Sequence, residues 1–245
     1  MKCTIVSIPN NEEITKGFLD NLKNQEEVDC QLIIIENQDH LFTSARAAYN
    51  SCLDRIDNEI VVFSHPDIRF LNHLALHNLI KQAASLGAFG VVGAAGCKSG
   101  KEWEIQSNIV HGRNKERAGS RINKPVEVQT VDECLFIMHK ADIQKIKFTN
   151  LGGWHLYAVE QCLRMSTLEQ KNNYVVPADL WHLSNGKSLD PSYMITLESM
   201  IRGYRSEYEY INTTVKQWKT KGLFSMSYRK YYWMKQFVKK RILSK

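Results

Sequence analysis

Apolar runs closed by polar or turn-forming residues set the rhythm of this chain. Residues 2–8 read as a first strand stopped by Pro9, and 30–35 as a second that ends in Glu36-Asn37. Residues 59–63 form a third run of β-branched and aromatic side chains, which breaks at His65-Pro66-Asp67. Proline cannot donate to a sheet ladder and biases the residue before it toward extended geometry, so the strand should end there. Between these runs, Asn10-Asn11-Glu12-Glu13 offers a cap and first-turn acids. Ile14, Phe18, Leu19 and Leu22 then recur at helical spacing, and residues 44–55 repeat the pattern. Strand, helix, strand, helix, strand predicts right-handed crossovers and a parallel sheet covered by helices.

The second half is less regular. Residues 73–85 predict a third helix and 89–93 a fourth strand, whereas 96–123 are polar, rich in Gly, Lys and Arg, and form either a functional loop or weakly signalled strands. Residues 126–131 alternate as a strand, 134–138 are a further apolar run, 141–147 and 154–165 read as helices, and 174–177 as a last short strand. From Tyr193 the pattern turns helical and increasingly basic. We place a boundary near Arg202, dividing an α/β domain (1–202) from a basic helical tail (203–245).

Composition changes this picture in two respects. The net charge of +6 is concentrated at the end: residues 218–245 hold nine Lys/Arg and no acid, leaving the body net acidic. A basic tail on an acidic body argues against nucleic acid as a partner. On a helix, Trp233, Phe237 and Ile242 would fall on one side, as in a membrane-surface helix; a solvated or oligomer-forming helix is the competing account. The six cysteines are scattered with no Cys-x-x-Cys pair, as small buried hydrophobes in a reducing compartment. With no leader pattern and no apolar run of about 20 residues, the expected location is cytoplasmic, at the inner face of the membrane if the tail binds lipid.

His65 and Asp67 sit where an open α/β sheet binds ligands, outside the carboxyl ends of the strands, although an Asp there also commonly caps a turn. No Gly-x-Gly-x-x-Gly follows the first strand, which argues against a dinucleotide cofactor.

Four landmarks in order, Ile5-Val6-Ser7-Ile8-Pro9-Asn10, Ile35-Glu36-Asn37, His65-Pro66-Asp67, and Trp154-His155-Leu156-Tyr157-Ala158-Val159-Glu160-Gln161-Cys162-Leu163 with Trp181-His182-Leu183-Ser184 downstream, resemble the family 2 glycosyltransferases. The likeness is closest to the StrF-like subgroup of streptomycin biosynthesis. It covers about residues 2–190 and implies a GT-A fold: Rossmann-like α/β, a mixed, mostly parallel sheet flanked by helices.

The resemblance further implies transfer of a sugar, with inversion, from a nucleotide-diphosphate donor, of which a UDP-sugar is the expected class, to a glycan or lipid-linked acceptor. Asp67 and His182 would ligate Mn²⁺ or Mg²⁺, with His65 in place of the first acid of the usual Asp-x-Asp. Ser7, Ile8 and Pro9 would line the base pocket, Glu36 would hold uridine or ribose, Arg46 would reach a phosphate, and Asp132, with Glu133 beside it, would touch donor sugar or acceptor. Two acids of the family's helix motif are missing, which leaves Glu160 as catalytic base and His155 as its reserve. Each residue also has a plainer use: His182 as a structural histidine beside Trp181, Glu36, Arg46 and Glu160 as surface charges. Trp103, His111 and Arg113 lie where such enzymes bind acceptors. The thinned acidic motifs leave a second account open, a catalytically inactive nucleotide-sugar-binding protein of the same fold.

Overall fold

The computed structural model describes residues 1–37, 39–184 and 191–243, with the side chains of the last helix described as far as Lys235. The first half alternates as its sequence predicts, β1 (Lys2–Ser7), α1 (Glu12–Lys23), β2 (Asp29–Ile34), α2 (Ala45–Asn50) and β3 (Ile60–Ser64). Asn11 caps α1 by accepting the Ile14 N–H at 2.9 Å, and Ser44 caps α2 by accepting that of Ala47 at 3.1 Å. The second helix is shorter than the 44–55 predicted. Ser51 bonds back to the Ala48 carbonyl at 2.7 Å, and the chain then tightens into a 3₁₀ turn, Leu53–Arg55.

After β3 come β4 (Ile68–Phe70), α3 (Ala75–Ser85), β5 (Val92–Gly93), β6 (Ala95–Cys97), β7 (Ile105–Ser107), β8 (Val110–His111) and β9 (Glu116–Arg117). Then follow β10 (Val126–Val128), β11 (Thr130–Val131), β12 (Leu135–His139), α4 (Lys140–Lys145), α5 (Tyr157–Leu168), β13 (Asn173–Val175) and β14 (Leu180–His182). The chain closes with α6 (Pro191–Tyr204), β15 (Tyr210–Asn212), β16 (Gln217–Lys219) and α7 (Ser225–Leu243).

Seven strands form the main sheet in the order β10-β13-β5-β12-β3-β1-β2. Strands β2, β1 and β3 are parallel, as the crossovers require, while β12 runs antiparallel to both β3 and β5, so the sheet is mixed. Alternation divides the core in two. Val6, Phe63 and Phe136 face the layer with Tyr49, Phe148 and Tyr157, whereas Ile5, Val62 and Ile137 face Phe18, Leu76 and Leu79 on α1 and α3. All six cysteines are free thiols; Cys30 is half-buried and the other five are buried.

The polar stretch 96–123 resolves into strands, β6 to β9, in two small sheets with β11, β4 and β14. The predicted strand 126–131 breaks at Gln129: β10 joins the main sheet and β11 turns away to pair with β6. At that crossing a Cβ on Gly96 would stand 2.3 Å from the Thr130 carbonyl oxygen, so the close approach requires glycine.

The expectation of helix from residue 203 onward is corrected. Residues 210–219 form a hairpin whose Trp218 is fully buried in a third apolar cluster with Leu156, Val159, Tyr193 and Leu197, and helix resumes only at Ser225. The hairpin is tied to the body by Asn212, which donates to the Lys98 carbonyl, and by Gln129 and Trp103, which donate to the carbonyls of Tyr210 and Thr213. No helix among the described residues is long and apolar enough to cross a membrane.

Candidate functional site

The third strand stops where proline stops it. The His65 N–H reaches the Cys134 carbonyl, Pro66-Asp67 turns the chain, and β4 sets off antiparallel to β14 in the register Ile68↔His182. That pairing, with the Leu183 N–H donating to the Asp67 carbonyl at 2.9 Å, carries His182 across more than a hundred residues to the end of β3. His65, Asp67 and His182 each offer one ligand atom, and the three atoms lie within 4.8 Å of one another. His182 Nε2 stands 3.3 Å from Asp67 Oδ2, and His65 Nδ1 stands 3.9 Å from Asp67 Oδ1.

The charges are set by this closeness. Burial works against the Asp67 carboxylate, yet His182 and His65 hold its pKa below the usual range. Burial likewise opposes the charged form of His182, and Asp67 overrides it and raises that pKa. At His65 burial outweighs the pull of Asp67 and pushes the pKa down. Its Nε2 is 2.7 Å from the Tyr157 hydroxyl, which fixes the ring and leaves Nδ1 toward Asp67. Asp67 Oδ1 and His182 Nε2 are buried without a well-aligned hydrogen bond, the condition of atoms placed for a cation. Imidazole nitrogen with carboxylate oxygen suits Mn²⁺, and Mg²⁺ less well because it prefers all-oxygen shells. His111 stands beside this group, its ring 5.6 Å from that of His182.

A second cluster lies at the start of α5. Asp132, Glu133 and His155 line a cavity of about 50 Å³ with Tyr193 and Thr214. Asp132 accepts from the Cys134 N–H and the Thr214 hydroxyl, and although burial opposes ionisation these bonds keep its carboxyl below the usual range. Glu133 accepts the Tyr157 N–H at 2.7 Å, supplying the cap that Leu156, in left-handed geometry with φ 62°, does not provide. Burial, with the charge of Asp132 beside it, pushes Glu133 up to about 8.

The remaining expected residues are distributed unevenly. Ser7 ends β1 with its hydroxyl buried and unbonded, and Ile8 and Pro9 follow it half-buried. Glu36 is exposed just past β2, so both strand ends open on the same edge as Asp67. Arg46 is not available to a phosphate. It is wholly buried, its Nε donates to Glu160 Oε2 at 2.7 Å, and its Nη1 donates to the His155 carbonyl. Glu160, also buried, takes a further hydrogen bond from the Thr149 hydroxyl, so its carboxylate is closed off from any acceptor. The expected roles of Arg46 as phosphate clamp and Glu160 as base are corrected on this geometry. Of the acceptor-loop residues, His111 adjoins the His65 group, Trp103 is tied to Thr213, and Arg113 is exposed.

Tyr157, Thr149 and Thr214 did not stand out in the sequence. Tyr157 lies inside the helix motif but replaces an acid, and Thr214 meets Asp132 from 82 residues away, a separation that leaves no local signal.

Residues 3–195 match the model of a glycosyltransferase-like family. No curated protein sequence matches the chain. Among solved structures, a mannosyltransferase from Pyrobaculum calidifontis in complex with GDP-Man and Mn²⁺ is similar at 12% identity and TM-score 0.52, over 84% of this chain and 64% of that one. TarS of S. aureus is similar at 12% identity and TM-score 0.55, over 84% of this chain and 39% of that one. The fragment TarS 1–349 in complex with UDP-GlcNAc is similar at 14% identity and TM-score 0.53, over 82% and 66% respectively. The chain thus spans less than two thirds of the mannosyltransferase and of full TarS. At these identities the likeness shows a shared fold, the GT-A fold of glycosyltransferases.

Proposed function

The chain belongs to this glycosyltransferase-like family, and on that premise we propose that it moves a sugar from a nucleotide-diphosphate donor, a UDP-sugar, to a glycan or lipid-linked hydroxyl, with inversion and with Mn²⁺ or Mg²⁺. The observation that carries the proposal is the convergence of His65, Asp67 and His182, two of them presenting buried, unaligned ligand atoms, at the carboxyl end of the sheet. The two neighbours in complex with a nucleotide sugar, one with Mn²⁺ as well, support a nucleotide-sugar donor.

Asp67 and His182, steadied by His65 and Tyr157, would hold the cation, whose contribution is to offset the charge on the leaving diphosphate. The nucleoside would lie against Ser7, Ile8 and Pro9, with the Ser7 hydroxyl and the Glu36 carboxylate as its polar partners. Asp132, held ionised by Thr214, would orient a sugar hydroxyl. Glu133 is the base in this scheme, with His155 beside it: its pKa of about 8 suits proton abstraction near neutral pH, and it shares a cavity with Asp132. Residues 1–202 would carry the transfer and 203–245 the attachment of the enzyme to its surroundings, in a cytoplasmic protein of the StrF-like subgroup.

One observation favours a second account, a nucleotide-sugar-binding protein without turnover. Glu160, the remaining acid of the helix motif, is consumed by Arg46 and Thr149. Calorimetric titration with UDP, UDP-sugars and GDP-sugars, with and without Mn²⁺, tests the shared premise. Metal-dependent binding of one nucleotide is expected, and Asp67→Ala should remove it; absence of binding by any nucleotide would sink both accounts.

A further inference from the structure

Helix α7 has two faces of opposite character. Inward, Arg229 is buried in a bidentate pair with Glu198, at 2.6 and 2.8 Å, and donates to the Lys219 carbonyl. Tyr232 packs edge-on against Trp218 at 5.3 Å, and Trp233 joins the same apolar cluster. The sequence expectation that Trp233 lies on a lipid-facing side is therefore corrected, and the side chains of Phe237 and Ile242, named with it, lie outside those described. Outward, a different strip is left bare. Leu223 and Phe224, on the loop before the helix, are 93% and 77% exposed, and Met226, Tyr231 and Met234 continue along the helix at 54%, 63% and 66%. Lys221, Lys230 and Lys235 are exposed along the strip, Lys230 in the same i, i+4 row as Met226 and Met234.

We propose that this strip, Leu223 to Met234, is a seat for an anionic lipid surface. Two bulky apolar side chains at a loop tip, followed by Met and Tyr on one helix face, form a patch that a monomer in water would not keep uncovered. Charge selects the occupant. From residue 210 to the end the chain holds ten Lys/Arg and no Asp or Glu. A second copy would bring the same positive charge against itself, whereas a leaflet carrying anionic headgroups offers apolar chains for Leu223 and Phe224 and counter-charge for the lysines. Lysine stems can lie along the apolar strip while their ammonium groups stay at headgroup level. Leu223 and Phe224 themselves border a cleft of about 590 Å³, whose other walls include Trp103, Tyr210, Lys216, Lys219 and Tyr228, basic and aromatic side chains suited to a phosphate-bearing headgroup. Lys216 already lies over the Tyr228 and Tyr232 rings, at 5.1 and 4.3 Å, which keeps a cation at that wall.

The strip and the second cluster are ends of one structural unit. The hairpin that leads into α7 also sends Thr214 to Asp132. Seating the strip would therefore bring a lipid-linked acceptor to the side of the cavity that holds Glu133. This last step rests on the glycosyltransferase proposal; the seat itself does not.

The experiment is flotation of the full chain with vesicles of phosphatidylcholine alone and of phosphatidylcholine mixed with phosphatidylglycerol, in low salt and in about 0.5 M salt, where charge is strongly screened. The expected result is flotation with the anionic vesicles, weakened by salt, and reduced roughly tenfold or more in a Leu223→Asp, Phe224→Asp variant. Both residues are exposed, so the variant should keep the wild-type melting temperature and its donor titration. Failure to float with anionic vesicles, equal flotation with neutral ones, or a variant that floats like wild type would each overturn the seat. So would a concentration-dependent dimer that the variant dissolves without any vesicle binding. Loss of nucleotide binding with flotation intact would instead overturn the enzyme proposal alone.

Discussion

Glu133→Gln is expected to melt at a higher temperature than the wild type at pH 7 to 8 and yet to transfer sugar roughly 10²–10⁴-fold more slowly, the range lost with a general base. The gain in stability follows from the direction of the shift. Burial and Asp132 raise Glu133 from the ordinary 4.5 to about 8 in the folded protein. Between those values the unfolded chain releases the proton while the folded chain keeps it, so stability is greatest below the ordinary value and declines as pH climbs to about 8. Glutamine keeps the neutral shape and the acceptor for the Tyr157 N–H, and so escapes the decline. Melting curves from pH 4 to 9 should therefore slope downward for the wild type and lie flatter for the variant. The rate loss should appear in kcat with donor KM little changed, and the wild-type rate should rise with pH toward about 8. A variant that melts lower than the wild type at every pH would show that Glu133 acts as a charged helix cap. A variant that is stabilised but fully active would remove it from the chemistry.

Arg46→Met is expected to cost about 3–5 kcal/mol of folding stability, because it strands the buried Glu160 carboxylate with the Thr149 hydroxyl as its remaining hydrogen-bond donor. Replacing both members, Arg46→Met with Glu160→Leu, should recover most of that loss, since a buried ion pair gains little over apolar side chains of similar volume. Urea unfolding of the two single variants and the double variant closes the cycle and isolates the coupling. Independent, additive losses would mean that the pair is not the closed contact described. The double variant also bears on mechanism. If it folds and still transfers sugar, Glu160 is a positioning residue that holds the start of α5, where Arg46 also grips the His155 carbonyl. If it folds, binds donor and is inert, the base belongs to Glu160 after all.

These two expectations concern side chains whose partners lie far off in sequence, and this marks the divide between what was legible and what was not. Strand β3 could be read from 59–63 because both of its faces are buried, and its end could be read from Pro66, because a missing N–H acts on the adjacent residues. The Asn11 cap was legible for the same reason, its bond spanning three residues. The apolar runs of β1, β2 and β3, with helical spacing between them, likewise sufficed for a helix-covered α/β sheet, and the order of landmarks sufficed for the family. The two- and three-residue strands β6 to β9 could not be told from a loop, since so short a ladder has no period to detect and is held by its neighbours.

The site divides along the same line. His65 and Asp67 could be placed at a strand end from local sequence, but their distance from His182 depends on β4 pairing with β14, a contact between segments more than a hundred residues apart. The sequence alone also left Arg46 and Glu160 as charges free to meet substrate. Folding brings them together across 114 residues in a buried place, where a charge must find its opposite, and so removes both from the cleft. Tertiary structure likewise put Trp233 inward and Leu223 and Phe224 outward. A helix has a fixed periodicity, but which of its faces meets water is decided by the surface it packs against.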